Sequence, residues 1–308
     1  MYKIISDGGC DFTKQEAQTH NVGIVPFYIT FDGETFLKEG TDITTDDYFA
    51  RLKADKTLHP KTSQPNPQDY IDMYTPYLKA GLDILSLTIS SKLSGSYSSA
   101  TLAADMLRED YPNRTITIVD SQSVAIGQGL ILHEVIKMRN AGYSLAKTVT
   151  TAKKVIASTH VYFTLDSLEY LKRGGRVGPT TALVGGILGL RPILQVEDGQ
   201  VSQLDNVRGK ARALKLMEEA MVDALMGETE NLSLSVGHIL SESEAKTFKA
   251  NTEAALGIKI EGGVIKVGAT IGTHAGPGAL AFAYTRKYNA LAENTIPQAS
   301  TKTERTVA

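Results

Sequence analysis

The chain has 308 residues, 42% of them hydrophobic and 21% charged, which is the make-up of a globular protein long enough for more than one core. With 34 acidic against 32 basic side chains the formal net charge is -2, which argues against a nucleic-acid groove or a polybasic membrane anchor. The single cysteine, Cys10, excludes an intramolecular disulfide, and neither a signal-peptide pattern nor an apolar run of roughly 20 residues is present, so a cytoplasmic protein is expected.

Residues 2–5 form a short apolar strand that stops at Ser6-Asp7-Gly8-Gly9, and a helical stretch follows from Thr13. Residues 24–31 and 35–37 flank Asp32-Gly33, which predicts a hairpin. Thr44, with Asp47 three residues later, predicts a capped helix running to about Ala54. A loop with Pro60, Pro65 and Pro67 leads to a helix from about Gln68 to Ala80 and then to a buried-type strand, 83–89. That strand ends in the turn Ser90-Ser91-Lys92-Leu93-Ser94-Gly95-Ser96, before a helix carrying Ala100, Ala103, Ala104 and Leu107. A third unit consists of strand 115–119, Asp120-Ser121 and a helix to about Asn140. Strands alternating with helices at this spacing predict a mainly parallel sheet.

After a helix from Ser144 to Ala157, strand-like pieces cluster, at 161–165, 191–196, 200–204, 232–239 and 258–267, with Asp198-Gly199 as a second hairpin signal. The glycine-rich stretch 271–278 reads as a turn before an apolar helix over 279–284. The expectation is a two-domain α/β protein. Residues 1–158 form a larger α/β/α domain on a parallel sheet, 159–288 a smaller α/β domain with a mixed sheet, and 289–308 a polar C-terminal tail.

Two segments cluster hydroxyls, Lys61-Thr62-Ser63-Gln64-Pro65 and Leu93-Ser94-Gly95-Ser96, the second between a strand's C-terminal end and a helix. Ligands of parallel sheets bind at that edge, where free helix N-terminal amides favour an anion. A carboxylate there could accept from Thr62 and Ser94; the competing reading makes Ser94 an N-cap and Thr62 a turn residue. Ser94 as a nucleophile lacks the Gly-x-Ser-x-Gly frame. His20, His59, His133, His160, His238 and His274 show no metal-ligand spacing. His274, among glycines, could join a hydrogen-bond network around a carboxylate, or merely cap or pack. Arg173-Gly174-Gly175-Arg176-Val177-Gly178 invites a phosphate reading, but no Gly-Lys-Ser/Thr follows it. The apolar Gly185-Gly186-Ile187-Leu188-Gly189 suits tight packing or a lipid wall.

Ser6-Asp7, Thr62-Ser63-Gln64-Pro65, Leu93-Ser94-Gly95-Ser96-Tyr97, Val119-Asp120-Ser121, the stretch from Leu168 to Arg176, Gly189-Leu190-Arg191-Pro192-Ile193-Leu194 and the stretch from Ile271 to Gly278 occur in this order. Over about residues 3 to 286 the chain resembles the DegV family of fatty-acid-binding proteins, whose FakB-type carriers present a fatty acid to a separate kinase. The resemblance implies a parallel-sheet domain and a mixed-sheet domain with the lipid between and within them. It carries carboxylate binding onto Thr62, Ser94 and His274, and kinase docking onto Arg208, Lys210 and Arg173. The first turn departs from the family's usual Thr-Asp-Ser-Thr-Ala-Asp, having Ser6-Asp7-Gly8-Gly9-Cys10-Asp11 instead.

The function expected is therefore non-enzymatic: a long-chain fatty acid such as palmitate is bound without cofactor or metal, and its carboxylate is presented to a fatty acid kinase. A serine acyl-ester hydrolase using Ser94 with His274 is the alternative, and a lipid-responsive regulator a third possibility. Neither nucleic-acid binding nor stable membrane insertion is expected.

Overall fold

A computed structural model describes residues 1–55, 57–176 and 190–291. The glycine-rich stretch 185–189 and most of the expected tail, 292–308, lie outside the described residues. In chain order the first half contains β1 (Tyr2–Asp7), α1 (Lys14–Thr19), β2 (Val22–Val25), β3 (Tyr28–Thr30), β4 (Leu37–Lys38), α2 (Thr45–Ala54), β5 (Lys61–Ser63) and α3 (Pro67–Lys79). It continues with β6 (Asp83–Thr88), α4 (Ser96–Asp110), β7 (Ile116–Asp120), α5 (Ile126–Asn140) and α6 (Leu145–Ala157). The second half contains β8 (His160–Thr164), α7 (Glu169–Gly174), β9 (Leu190–Glu197), β10 (Gln200–Arg208), α8 (Lys210–Leu225), β11 (Leu232–His238), α9 (Glu242–Leu256), β12 (Ile265–Lys266), α10 (Ala269–Ala275) and β13 (Leu280–Arg286).

Local chemistry starts the helices where polar caps stand. Thr13 and Asn66 make full capping boxes with Glu16 and Asp69, and Thr44 and Ser144 accept from the amides of Asp47 and Lys147. Pro67 occupies the first turn of α3, where its missing N–H costs nothing.

Three sheets result. The first is parallel throughout, in the order β2-β1-β6-β7. The second is mixed, in the order β10-β9-β8-β13-β11-β12, with only the β11–β12 pair parallel. A small antiparallel sheet, β4-β3-β5, completes the set. The parallel sheet and the separate mixed sheet are those expected from the sequence.

Several local expectations are corrected. The run 24–31 is not one strand, because it breaks at Pro26-Phe27 and sends β2 and β3 into different sheets. The hairpin around Asp32-Gly33 is wide: β3 and β4 pair through Tyr28–Lys38 and Ile29–Leu37, and the Asp32 carboxylate caps the loop by accepting from the amides of Glu34 and Thr35. Residues 280–284 are strand, the start of β13, and the glycine-rich stretch before them opens within the short helix α10, which ends at Ala275. Both faces of β13 are buried: Leu280 and Phe282 pack toward α8 and α9, while Ala283 faces the opposite core. A run buried on both sides has no alternation, so periodicity could not separate it from a buried helix.

The helix α5 lies between the parallel and mixed sheets and packs on β11, β13 and α6. Its residues are buried nearly all round, as such a position demands. Leu291, at the start of the expected tail, packs against the core that contains Ile131 and Val135. Among the described residues no helix is long and apolar enough to cross a membrane.

Candidate functional site

A cavity opens where the C-terminal edge of the parallel sheet, the small antiparallel sheet, α7, α10 and the mixed sheet meet. It holds about 950 Å³ of empty space, its open mouth included. Its walls are mostly apolar, with Val124, Val161, Phe163, Ile239, Val267 and Ala279 among them.

The polar lining residues are held by hydrogen bonds and close packing. Thr62, on β5 and paired in register with Ile29, has its Oγ1 2.8 Å from Nε2 of His274 on the last turn of α10. The Arg176 guanidinium donates through Nε to the Leu93 carbonyl at 3.3 Å, beside Ser94, and through Nη1 to the Gly174 carbonyl. Gln64 lies flat on the Gly95 peptide, so that a Cβ at Gly95 would run into its side-chain amide. Thr62, Ser94, Gln64, Arg176 and His274 all line the cavity.

Ser94 precedes α4, whose N-cap is Gly95, and its Oγ accepts from the Ser96 amide at 3.2 Å. That bond leaves the Ser94 hydroxyl proton free to donate. His274 is held neutral: burial first, then the charge of Arg176, pushes its pKa down to about 4. A neutral imidazole that donates from Nε2 to Thr62 Oγ1 turns the threonine hydroxyl proton outward, toward whatever occupies the cavity. The ring is fixed from behind, since α7 approaches so closely that a Cβ at Gly174 would strike Nδ1. Two hydroxyl donors and a nearby guanidinium suit an anion of carboxylate size.

Deeper supports hold these groups in place. The fully buried Asp7 accepts from Ser96 Oγ (2.6 Å) and the Ile89 amide (3.0 Å) through Oδ2, and from Gln128 Nε2 (2.9 Å) and the Gly9 amide (3.1 Å) through Oδ1. Burial raises its pKa, and the four donors oppose that shift. Asp7 thereby ties the turn bearing Ser94 to the first strand. The N-terminus of α10 is tied the same way: Asp11 accepts from the Gly268 amide, Glu39 from those of Ala269 and Thr270.

The structure thus brings Thr62, Ser94 and His274 to one cavity. Thr62 is a strand residue rather than a turn residue, and His274 is helical. Among the described residues no hydrogen bond joins Ser94 to His274: Nε2 of His274 pairs with Thr62, and Ser94 Oγ with the Ser96 amide. Gln64 and Arg176 are site residues that the sequence reading left without a role. The Arg-Gly-Gly-Arg stretch was the signal that could have found Arg176. Of the expected docking residues, Arg208 ends β10 exposed, Lys210 pairs with Glu244 (2.7 Å) and Asp166 (3.4 Å), and Arg173 donates to His59 Nδ1 at 2.8 Å. Among the described residues no cluster of His, Cys, Asp and Glu is arranged to hold a metal.

The profile of a family described as "Uncharacterised protein, DegV family" matches residues 1–287. The chain belongs to the DegV family. A DegV domain-containing protein of Caldanaerobacter subterraneus is 32% identical over 287 residues, covering 92% of this chain and 98% of that protein. Among solved structures, a stearic-acid-binding protein from Eubacterium ventriosum superposes with a TM-score of 0.89 at 32% identity, covering 94% of this DegV chain and 99% of its own. A DegV family protein from Thermus thermophilus, described by its fatty acid binding, gives 0.83 at 28% identity, with 92% and 99% covered.

Proposed function

We propose that this DegV protein binds a long-chain fatty acid without transforming it and, as a FakB-type carrier, presents the carboxylate to a fatty acid kinase. What carries the reading is a mostly apolar cavity whose polar lining includes the hydroxyls of Thr62 and Ser94, the first oriented by a neutral His274. The fatty-acid binding described for the relatives from Eubacterium ventriosum and Thermus thermophilus supports it.

Magnitudes assign the parts. A saturated chain of about sixteen carbons buries about fourteen methylenes, a gross gain of about 11 kcal/mol. Immobilising the chain takes back several kcal/mol. Each hydroxyl-to-carboxylate bond adds about 1.5 to 3 kcal/mol, so the head group sets orientation and rejects neutral lipids. Among the described residues Ser94 Oγ is engaged by the Ser96 amide. Arg208, exposed at the end of β10, is the residue we assign to kinase docking.

Native mass spectrometry of the purified protein tests the reading. The expected result is bound acyl chains that the Thr62→Ala, Ser94→Ala double variant retains at least about tenfold less well, the loss of one to two such bonds. Undiminished retention in the double variant would overturn the head-group site.

A further inference from the structure

A second cavity, about 1430 Å³ of empty space with its mouth, lies on the far side of the start of α5. It runs between α5, through Ile126, Leu130 and His133, and β11, through Ser233 and Ser235. The first cavity ends on the same two elements one step along. Ala125 precedes Ile126 and lines the first cavity, and Gly237 follows Ser235 on the same face of β11 and lines it too. Between them Ile126, which lines the second cavity, meets Gly237, which lines the first. Ile126, 1% exposed, packs against Gly237 so closely that a Cβ there would sit 2.7 Å from Ile126 Cγ2 and 3.3 Å from Val267 Cγ2.

We infer that Ile126, seated on Gly237, is the stop that sets the longest acyl chain the protein accepts, and that the space between α5 and β11 would receive the excess if the stop were removed. This rests on the fatty-acid reading above and deepens it. The small residues Ser233, Ser235 and Gly237 leave room along that face of β11, and Ile126, with Val267 beside it, is the bulky side chain set against Gly237. Gly237 is needed because any side chain would displace the stop. A wall made of one branched side chain discriminates sharply, since each methylene that cannot be buried forfeits about fourfold in affinity.

Delipidated protein is titrated with saturated fatty acids from about fourteen to about twenty-two carbons, and the affinity profile of the native chain is compared with that of Ile126→Ala. The expected result is that the fall-off moves to chains at least two carbons longer, with affinity for the first chains beyond the native limit rising about 15-fold for two added methylenes. Binding of shorter chains stays in place. An unchanged profile overturns the inference. Should the alanine variant not fold, Ile126→Val gives the same shift in smaller form, and an unchanged profile there overturns it equally. A native protein that binds no fatty acid of any length would instead overturn the reading on which the inference stands, so the two failures are distinct.

Discussion

His274 shows how one residue's surroundings choose its chemistry. A histidine lining a polar cavity end suggests an imidazolium charge, yet burial and Arg176 lower the pKa to about 4, leaving a neutral ring hydrogen-bonded to Thr62. A pH dependence follows. The unfolded chain titrates this histidine near 6.5 and the folded chain near 4, so as pH falls between those values the unfolded state takes up the proton first and stability drops. Below about 4 both states carry it and the loss stops, after roughly 3 kcal/mol. His133, His160 and His238 are also lowered by burial and slope the same way, so the measurement is a difference. Ligand-free native protein and His274→Gln are melted between pH 7 and pH 4, and the native chain should lose roughly 3 kcal/mol more than the variant. Parallel losses would show that the ring is charged in the folded protein. No sequence pattern could carry this, because the pKa depends on Arg176 and Thr62, brought together by the fold.

At the scale of elements, α10 is seven residues long and too short to be helical by itself, yet it carries Thr270, Ile271 and His274 of the cavity wall. Its stability comes from Glu39 and Asp11, which reach across from the first half to accept its free N-terminal amides, and from Tyr48, whose hydroxyl lies 2.8 Å from Thr273 Oγ1. Burial, and then neighbouring Glu39, push the Asp11 pKa well up against the opposing Gly268 amide, so two acids share one helix end. Glu39→Ala leaves two amides without their acceptor and should cost about 1 to 2 kcal/mol in urea unfolding, with weaker retention of ligand because His274 is less well placed. A full loss of stability with retention unchanged would separate the cap from the site. Elements that start on their own caps, as α1, α2 and α6 do, were legible from Thr13, Thr44 and Ser144. Elements defined by distant partners were not: β13 looked helical because both its faces are buried, and β5 looked like loop because it is three residues long and pairs with the distant β3. For α8 the sequence did hold a signal, the four-residue spacing of Ala213, Met217, Met221 and Leu225, which went unused.

For the whole molecule, the decisive feature is that the cavity belongs to neither sheet alone. Ile89, Ser94 and Val124 come from turns at the edge of the parallel sheet, Phe163, Ile239 and Ala281 from the mixed sheet or its ends, and His274 from the helix pinned to both. Polar bonds join these bodies at their margins, as where Ser90 Oγ donates to the Gly199 carbonyl at the β9–β10 hairpin tip at 2.6 Å and Ser233 Oγ donates to Glu134 at 2.8 Å, but the cavity walls between them are mostly apolar. A hydrocarbon chain in the cavity would therefore act as shared core, replacing lost packing between the two sheets. Ligand at about 100 times its dissociation constant stabilises the folded state by about 2.7 kcal/mol, which for a chain of this size raises Tm by several degrees. Hydrogen exchange then tells where that free energy is held. Adding fatty acid to the delipidated protein should slow exchange on both sides of the cavity, in the turn after β6 and at the cavity ends of β8 and β11, because one chain touches both. Protection confined to the turn after β6 would mean that only the head group is bound and that the hydrocarbon does not span the two sheets.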